Sequence, residues 1–262
     1  MYAEERQQLI VTRLEAAGRV SVAPLASEFD VSNETIRRDL DQLEAKGLAR
    51  RVHGGAVPVS RISLAEESID SRRMLNTGAK ERIARAAMAF IPGSFSGAVA
   101  IDAGSTTGLF AHTLSQWTPD APQQSIVVIT NSILIAQAVN TNPHVEVQLI
   151  GGRLRTITSA AVGPTALAQL AGLRPDVAFI GANGVHAEFG FSTPDADEAA
   201  VKSALTHGAR RAVALVDASK LGGETLVSFA ALGDVDTLVT DGAPDAELTQ
   251  ALQESDVETV IA

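Results

Sequence analysis

Apolar residues recur at helical spacing through the first 45 residues of the chain and predict three short helices in a row. The first covers residues 4–17 and the second covers 22–29, while the third begins after Ser32 and ends before Gly47. Only two residues separate the second helix from Ser32, which is too short a connection for two independently packed helices. The pattern therefore predicts a helix-turn-helix. The residues of the first helix expected to face inward are Leu9, Ile10, Leu14 and Ala17.

The third helix separates its apolar and polar residues onto different faces. Ile36, Leu40 and Leu43 form one apolar stripe, and the N-terminal turns carry short polar residues and two arginines. Such a surface suits the major groove of DNA, where Arg reads guanine and Asn reads adenine. The alternative is an ordinary solvated helix, because exposed charge is the default on helix surfaces. The predicted DNA-binding residues of this helix are Ser32, Asn33, Thr35, Arg37 and Arg38.

Residues 48–57 alternate enough to form a hairpin directly after the third helix. Arg50, Arg51 and His53 precede Gly54-Gly55, which is expected to be a flexible turn. A wing of this kind lies against phosphate or in a minor groove, and both environments favour Arg. Residues 1–57 are therefore predicted to form a winged helix-turn-helix DNA-binding domain that includes these three wing residues.

A polar connector is predicted over residues 58–79, because this stretch is rich in serine and contains Pro58 and the pair Arg72-Arg73. We place the domain boundary here. The charges of the connector could contact DNA or the second domain, and a solvated linker with a short helix is the simpler alternative.

Apolar runs of strand length alternate with helical stretches over residues 80–262. Continuous apolar strands separated by helices predict an α/β domain with a mostly parallel sheet that is covered on both faces. Ligands of such sheets bind outside the carboxyl ends of the strands. The predicted strands are 98–101, 126–129, 145–150, 177–180, 212–216, 238–239 and 257–261.

The first strand of this domain ends in a glycine turn that carries three hydroxyls at the start of a helix. Backbone N–H groups and the helix dipole make such a turn a phosphate cradle, although ordinary helix capping would also explain it. The turn is not a nucleotide-binding loop, since the chain contains no GxxxxGK[ST] and no GxGxxG after this strand. The predicted phosphate-binding residues are Gly104, Ser105, Thr106 and Thr107.

Polar residues also follow the next four strands of the sheet. Five consecutive strand ends with glycine, hydroxyl, amide or cationic groups predict a site for a small polyhydroxylated anion. In this site Asp102 and Asn131 would bind sugar hydroxyls, and Arg153 or Lys220 would supply positive charge. Gly152 precedes Arg153 in the turn after the third strand and is included in the predicted site.

A further helix is predicted to begin with Thr193 as its N-cap and Pro194 at its first position. Asp195 lies in the first turn, where the helix dipole favours an acidic side chain. Glu198 and Lys202 are four residues apart, and at minimum they would form a pair that stabilises the helix.

The net charge of −10 is unusual for a DNA-binding protein, so its distribution matters. Residues 1–60 carry a net charge of −1, and the acidity therefore lies mainly in the second domain. An acidic body repels DNA except at local arginine clusters, and useful affinity for an operator then requires at least two heads. We therefore expect a homo-oligomer, either a dimer or a tetramer.

The absence of cysteine excludes disulfides and thiol chemistry and fits a reducing compartment. The N-terminus is polar and the longest uncharged run, 121–145, is interrupted by polar residues, so we expect a cytoplasmic chain without a membrane span. The five histidines lack metal-ligand spacing, and no metal or cofactor is expected. Trp117 lies in a polar loop that contains proline, and it is expected to pack at the surface or at an interface rather than to bind a cofactor.

Several motifs together resemble one family. ERQQLI, VSNETIRRDL and LEAKGLARRVHGGA are similar to the DeoR/GlpR family of bacterial sugar-responsive repressors, and the likeness extends over essentially the whole chain. TIRRDL followed by RVHGGA is highly specific to the family, and the chain as a whole most resembles repressors of phosphotransferase-system sugar uptake genes. The resemblance implies a repressor whose binding to a double-stranded DNA operator is controlled by a phosphorylated sugar. It also places Asp195, Glu198 and Lys202 near the effector site.

The effector domain of this family is similar to ribose-5-phosphate isomerase, which raises an enzyme as the alternative. Isomerisation through an enediolate needs a carboxylate base and groups that stabilise an oxyanion, and Glu198, Asp195 and Lys220 could supply them. The isomerases that resemble this domain have an aspartate-rich loop where the fourth strand of this chain ends in Gly181-Ala182-Asn183-Gly184. We therefore expect binding without turnover. The alternative is a sugar-phosphate isomerase-like enzyme with an accessory DNA-binding head.

Overall fold

A computed structural model describes residues 3–17, 20–46, 48–52, 54–57 and 68–262 of the chain. The chain divides into two compact units, Met1–Ala65 and Glu66–Ala262. Elements are numbered below in chain order.

The first unit is a winged helix-turn-helix, as predicted. Its helices are α1 (Ala3–Ala17), α2 (Val22–Phe29) and α3 (Asn33–Ala45). Three short strands, β1 (Val20–Ser21), β2 (Arg50–Val52) and β3 (Gly55–Val57), form an antiparallel sheet in the order β1-β3-β2. The hairpin β2–β3 is the wing.

Apolar residues from all three helices form the core of this unit. Ile10 and Leu14 of α1 are fully buried against Ile36 and Leu40 of α3. The prediction for Leu9 is wrong, because this side chain is 45% exposed. Helix α1 instead buries two polar residues, Arg6 and Gln7. Its buried face therefore does not coincide with the predicted apolar stripe.

The turn between α2 and α3 is set by its backbone conformation. Asp30 adopts φ 51°, in the left-handed region, and the N–H of Val31 donates to the carbonyl of Ala26 at 3.0 Å. Ser32 then caps α3, since its hydroxyl accepts the N–H of Thr35 at 3.1 Å. The predicted N-cap of the third helix is therefore confirmed.

The geometry of the wing requires glycine at positions 54 and 55. The prediction of a turn that is simply flexible is therefore incomplete. Gly54 has φ 76°, a conformation that side chains other than glycine adopt at a cost. Gly55 lies against β1, where a Cβ atom would stand 1.9 Å from the carbonyl oxygen of Val20. Strand β3 can therefore pair with β1 only because residue 55 has no side chain.

Part of the predicted linker is ordered in the second unit. Helix α4 covers Ile69–Met74 and helix α5 covers Thr77–Ala87, so residues 68–79 pack on the second unit and do not form a polar connector. The reason is that Ile69 is buried and its N–H donates to the carbonyl of Ile157 at 2.8 Å. Residues 58–67 of the predicted linker lie outside the described residues.

The second unit is built on a seven-stranded sheet in which every neighbouring pair is parallel. All seven predicted strands are present, with bounds that shift by at most two residues. They are β4 (Ala98–Ile101), β5 (Ile126–Thr130), β6 (Val145–Leu149), β9 (Val177–Ile180), β12 (Ala212–Leu215), β14 (Thr237–Thr240) and β15 (Glu258–Ile261), in the order β15-β14-β12-β9-β4-β5-β6.

Two apolar cores cover the two faces of this sheet. The helices of these layers are α5, α6 (Ser105–Leu114), α7 (Ile133–Val139), α8 (Pro164–Leu170), α9 (Ala196–Gly208) and α10 (Ala246–Glu254). Helices α5, α6 and α7 pack on one face around Phe110 and Phe179, and α8, α9 and α10 pack on the other face around Ile180 and Leu238. Successive residues of a strand point to opposite cores, which explains why the strands are apolar throughout.

In the described part of the second unit, residues 68–262, five short strands lie outside the main sheet and were not predicted. Strands β7 (Arg153–Arg155) and β8 (Ala160–Val162) form an antiparallel hairpin. Strands β10 (Gly184–His186), β11 (Gly190–Thr193) and β13 (Val227–Ala230) form a second antiparallel sheet in the order β10-β11-β13.

Two expectations for single residues in this unit are corrected. Thr193 is the last residue of β11, and the N-cap of α9 is Asp195, whose carboxylate accepts the N–H of Glu198 at 2.9 Å. Trp117 is buried, because its indole Nε1 donates to the carbonyl of Ile91 at 3.1 Å. None of the helices in the described part of the chain is long and apolar enough to cross a membrane.

Candidate functional site

Helix α3 presents a polar surface with two arginines at its N-terminal end. Ser32, Asn33, Arg37 and Arg38 are exposed, and Thr35 is half-buried beside the cap. The predicted residues of this helix therefore lie together on the accessible surface of the first unit. Their placement is compatible with insertion of the helix into a major groove.

A buried ion pair fixes α3 against α1. Arg6 Nε donates to Asp39 Oδ2 at 2.5 Å, and Gln7 Nε2 donates to the other oxygen of the same carboxylate at 3.2 Å. Asp39 follows directly after Arg37 and Arg38 but faces the interior. This pair was not predicted, since an acidic residue next to two arginines suggests a solvated face.

The wing is less free than predicted. The guanidinium of Arg51 lies 3.4 Å from the carboxylate of Asp41, and the backbone N–H of Arg51 donates to Glu44 Oε1 at 2.8 Å, so this residue is drawn toward α3. These contacts tie the wing to α3, and because the side chain of Arg51 is still 27% exposed, its contact with DNA stays a prediction. Arg50 lies in β2, while its side chain and the whole of His53 lie outside the described residues.

The second cluster lies where the strand order of the main sheet reverses. From β4 the chain continues to β5 and β6 on one side, and it returns to β9 on the other side of β4. The helix that follows β4 packs on one face of the sheet, whereas α9, which comes after β9, packs on the opposite face. Such a reversal opens a crevice at the carboxyl ends of the strands, where ligands of α/β sheets bind.

A buried ion pair lies at the carboxyl ends of β4 and β9, where this crevice is expected. Asp102 follows β4, and its Oδ1 accepts the N–H of Gly181 at the end of β9 at 3.0 Å. The ammonium of Lys202 contacts Oδ2 of the same carboxylate and donates to the carbonyl of Gly181 at 2.9 Å. Asp102 and Lys202, both in the predicted site, are thus brought together.

Glu198 lies one helical turn before Lys202 but has different partners. Arg155 Nη1 donates to Glu198 Oε1 at 2.5 Å, and the hydroxyl of Thr158 donates to the same oxygen. Arg155 also lies 3.3 Å from the carboxylate of Asp195. The predicted pair between Glu198 and Lys202 is therefore replaced by two ion pairs, each made with a distant part of the chain.

Arg155 was not among the predicted site residues. It belongs to the short hairpin β7–β8, which has too few residues to show a strand pattern. Arg153 of the same strand was predicted instead, but it is 63% exposed and pairs with the exposed Asp197. Recognising the hairpin would not have distinguished the two arginines, because residues 153 and 155 lie on the same face of a strand.

The phosphate cradle predicted after β4 forms the N-terminus of α6. Gly104 is the N-cap, and no side chain caps this helix. A Cβ atom at Gly104 would stand 2.8 Å from the hydroxyl of Thr107, which itself donates to the carbonyl of Asp102 at 2.9 Å. Ser105 is half-buried and Thr106 is buried in the first turn. The turn is therefore held in place by Asp102, and its first backbone N–H groups are left to a ligand or to water.

The remaining predicted residues have supporting or peripheral positions. Asn131 is buried and braces two loops, since it accepts the N–H of Ala103 at 3.2 Å and donates to the carbonyl of Ala161 at 3.0 Å. A side chain at Gly152 would approach the carbonyl oxygen of Val162 to 2.7 Å, so this glycine serves the hairpin. Lys220 is half-buried in a 3-10 turn after β12. Among the described residues, no group of histidine, aspartate and glutamate side chains is arranged to hold a metal ion.

Comparisons with known proteins agree with this two-part arrangement. Residues 6–61 match the family model of the DeoR-like helix-turn-helix domain, and residues 75–242 match that of the DeoR C terminal sensor domain. The chain is 36% identical over 261 residues to the HTH-type transcriptional regulator GlpR of Haloferax volcanii, covering 99% of this chain and 98% of that protein. It is 29% identical to the glycerol-3-phosphate regulon repressor of Escherichia coli, with 98% of each chain covered.

A solved structure of D-ribose-5-phosphate isomerase in complex with phospho-erythronic acid is also similar to this chain. The match has 20% sequence identity and a TM-score of 0.38, and it covers 54% of this chain and 52% of the isomerase. At this level the likeness gives no information about the ligand or the reaction of the chain.

Proposed function

Because this chain belongs to the DeoR family of transcriptional regulators, we propose that it represses genes of sugar uptake or catabolism under the control of a phosphorylated sugar. Its winged unit binds a double-stranded DNA operator, and its sensor domain binds the sugar phosphate in the crevice between β4 and β9. The observation that carries the sensor part of this proposal is the uncapped N-terminus of α6 beside the buried pair of Asp102 and Lys202.

The DNA-binding part of the proposal is supported by the exposed end of α3. Arg37 and Arg38 stand on a helix that Arg6 and Asp39 hold rigidly against α1, so their positions are defined before DNA arrives. The net charge of the chain limits the number of phosphate contacts that one head can make. We therefore propose a cytoplasmic homo-oligomer, a dimer or a tetramer, whose heads bind one operator together.

The chemistry of the crevice supports an anionic, hydroxyl-bearing ligand. The first turn of α6 offers backbone N–H groups and the positive end of a helix dipole to a phosphate. Asp102 and Asn131 lie beside this turn, although their hydrogen bonds to Gly181 and Ala103 give them mainly a bracing role. A relative of similar length is named for the glycerol-3-phosphate regulon, which fits a small phosphorylated ligand.

We propose binding without turnover in this crevice. The carboxylate of Glu198 is engaged by both Arg155 and Thr158, so it is poorly placed to remove a proton from a bound sugar. The competing proposal is a sugar-phosphate isomerase with an accessory head. Isomerisation of a pentose or hexose phosphate that disappears in the variant Glu198→Gln would favour this second function.

Operator binding tests the DNA-binding part. An operator is first selected from a pool of random duplexes with the full chain, and affinities are then measured by fluorescence anisotropy at fixed salt. Arg37→Ala or Arg38→Ala should weaken binding by about 1–3 kcal/mol if the arginine reads a base. The matched control is Arg13→Ala, because Arg13 is an exposed arginine of α1 that pairs with Glu28. Unchanged operator affinity in both α3 variants would contradict the assignment of α3.

A further inference from the structure

Helix α4 is attached to the second unit at both of its ends. At its start, the N–H of Ile69 donates to the carbonyl of Ile157 at 2.8 Å. At its end, the side-chain amide of Asn76 donates to Asp217 Oδ1 and to the hydroxyl of Ser219, both at 3.2 Å. Helix α4 is also the first described element after residues 58–67, which connect it to the winged unit.

Both attachments lead to elements of the proposed effector site. Ile157 lies in the turn of the hairpin β7–β8, and the same hairpin holds Glu198 through Arg155 and Thr158. The partners of Asn76 follow β12, the neighbour of β9, so they lie at the same edge of the sheet as Asp102 and Gly181. Helix α4 is therefore bonded at its start to the hairpin β7–β8, and the corner after it is bonded to the segment that follows β12.

The corner between α4 and α5 makes this attachment stiff. Asn76 adopts φ 52°, in the left-handed region, where asparagine is tolerated better than most residues. Lys80 of α5 is buried, and its ammonium donates to the carbonyls of Arg72 and Leu75 at the end of α4. A displacement of Asn76 is therefore passed to the end of α4, because the corner itself cannot absorb it.

We infer that Asn76 is a further residue of the effector site, and that through it helix α4 reports occupancy of the site toward the DNA-binding unit. This inference rests on the proposed function. A ligand hydroxyl that reaches the end of β12 is a donor to Asp217 and Ser219, as the amide of Asn76 is. Exchange of one neutral donor for another costs little free energy, so ligand binding can release Asn76 and detach the corner between α4 and α5 from the segment after β12.

The same exchange explains how a ligand shifts the protein between two states. A ligand changes operator binding only if it binds the two states with different affinity. Here the ligand prefers the state in which Asn76 is released, because the ligand and the amide compete for the same two acceptors. In one state the corner after α4 is bonded to Asp217 and Ser219 through Asn76, and in the other state these bonds are broken.

Two variants of Asn76 test this mechanism in the full chain. Asn76→Gly removes the amide and keeps the left-handed conformation, and Asn76→Asp places a second carboxylate against Asp217. The matched control is Thr77→Ala, because Thr77 also bonds at this corner but only to the carbonyls of Arg73 and Met74. Titrants are glycerol 3-phosphate, fructose 1-phosphate, glucose 6-phosphate and inorganic phosphate, with ligand affinity measured by calorimetry and operator affinity by anisotropy.

The expected result separates ligand binding from its effect on DNA. Both Asn76 variants should bind the active titrant at least as tightly as the wild type, whereas the ratio of operator affinities with and without ligand should fall to within twofold of one. Thr77→Ala should keep the wild-type ratio. A wild-type ratio in Asn76→Gly, or complete loss of ligand binding in it, would overturn the inference. A wild-type chain that responds to none of these titrants would overturn the proposed function itself, so the two failures are distinguishable.

Discussion

Lys202 on α9 contacts Asp102, which lies 100 residues earlier in the chain, and does not pair with Glu198 one turn away on its own helix. The ammonium and the carboxylate are both almost completely buried, and both also bond to the backbone of Gly181. The pair therefore joins β4, β9 and α9 at the place where the strand order reverses. The geometry of the crevice depends on this contact.

Removal of one charge of this pair should destabilise the sensor domain strongly. Lys202→Met leaves the carboxylate of Asp102 buried without its cation, and breaking a buried pair in this way costs about 3–5 kcal/mol. Urea unfolding followed by circular dichroism measures the loss. The double variant Lys202→Met with Asp102→Asn should recover part of it, because no buried charge then remains. Equal stability of Lys202→Met and the wild type would contradict the description of the crevice.

Two arginines of strand β7 provide a matched comparison. Arg155 is 12% exposed and holds the buried Glu198, so Arg155→Met should cost about 3–5 kcal/mol in the free energy of unfolding. Arg153 is 63% exposed and pairs with an exposed aspartate, so Arg153→Met should cost less than about 1 kcal/mol. Urea unfolding of both variants gives the difference. Similar losses in the two variants would show that burial of the Arg155 pair has been overestimated.

The first unit contains an analogous comparison on α1. Arg6→Met breaks the buried pair with Asp39 and should weaken both the stability of the winged unit and the operator affinity, since α3 loses its attachment to α1. Arg13→Met affects only an exposed pair with Glu28 and should change stability by less than about 1 kcal/mol. Thermal unfolding measures the stability of the two variants, and fluorescence anisotropy measures their operator affinity. An Arg6→Met chain with wild-type operator affinity would mean that α3 does not need this pair.

The glycines of the wing should respond differently to alanine. At Gly54 a Cβ atom meets nothing within 4 Å, so the cost of Gly54→Ala is only the strain of a left-handed backbone conformation. This strain should lower the free energy of unfolding by about 1–2 kcal/mol. At Gly55 the Cβ would lie 1.9 Å from the backbone of β1, so Gly55→Ala should separate β3 from β1 and lower operator affinity much more. The ratio of the two operator affinities is the readout. Equal effects would argue against the pairing of β1 with β3.

The sequence predicted the architecture well because the architecture depends on periodic apolar residues. Seven apolar runs predicted the main sheet, and the apolar stripe of Ile36, Leu40 and Leu43 predicted the buried face of α3. The prediction failed at Leu9, because the inward position next to it is taken by Arg6. An apolar pattern cannot reveal that a buried arginine has a partner 33 residues away.

The candidate site was predicted less completely, for a similar reason. Its position at the strand ends follows from general properties of parallel sheets, and Asp102 and Lys202 were both included. Arg155 and Asn76 were missed, since one lies on a three-residue strand and the other in a segment that was read as a linker. Their roles depend on contacts with Glu198 and Asp217 that are remote in the sequence.

Operator affinity measured by anisotropy in the presence and absence of sugar phosphates tests the central claim most directly. We expect one phosphorylated sugar to change the affinity of the wild-type chain at least tenfold, and its unphosphorylated counterpart to have no effect. In Thr106→Ala, which alters the first turn of α6, DNA binding should persist and the response to the sugar phosphate should be blunted. An operator affinity that stays constant across glycerol, triose, pentose and hexose phosphates would contradict the account.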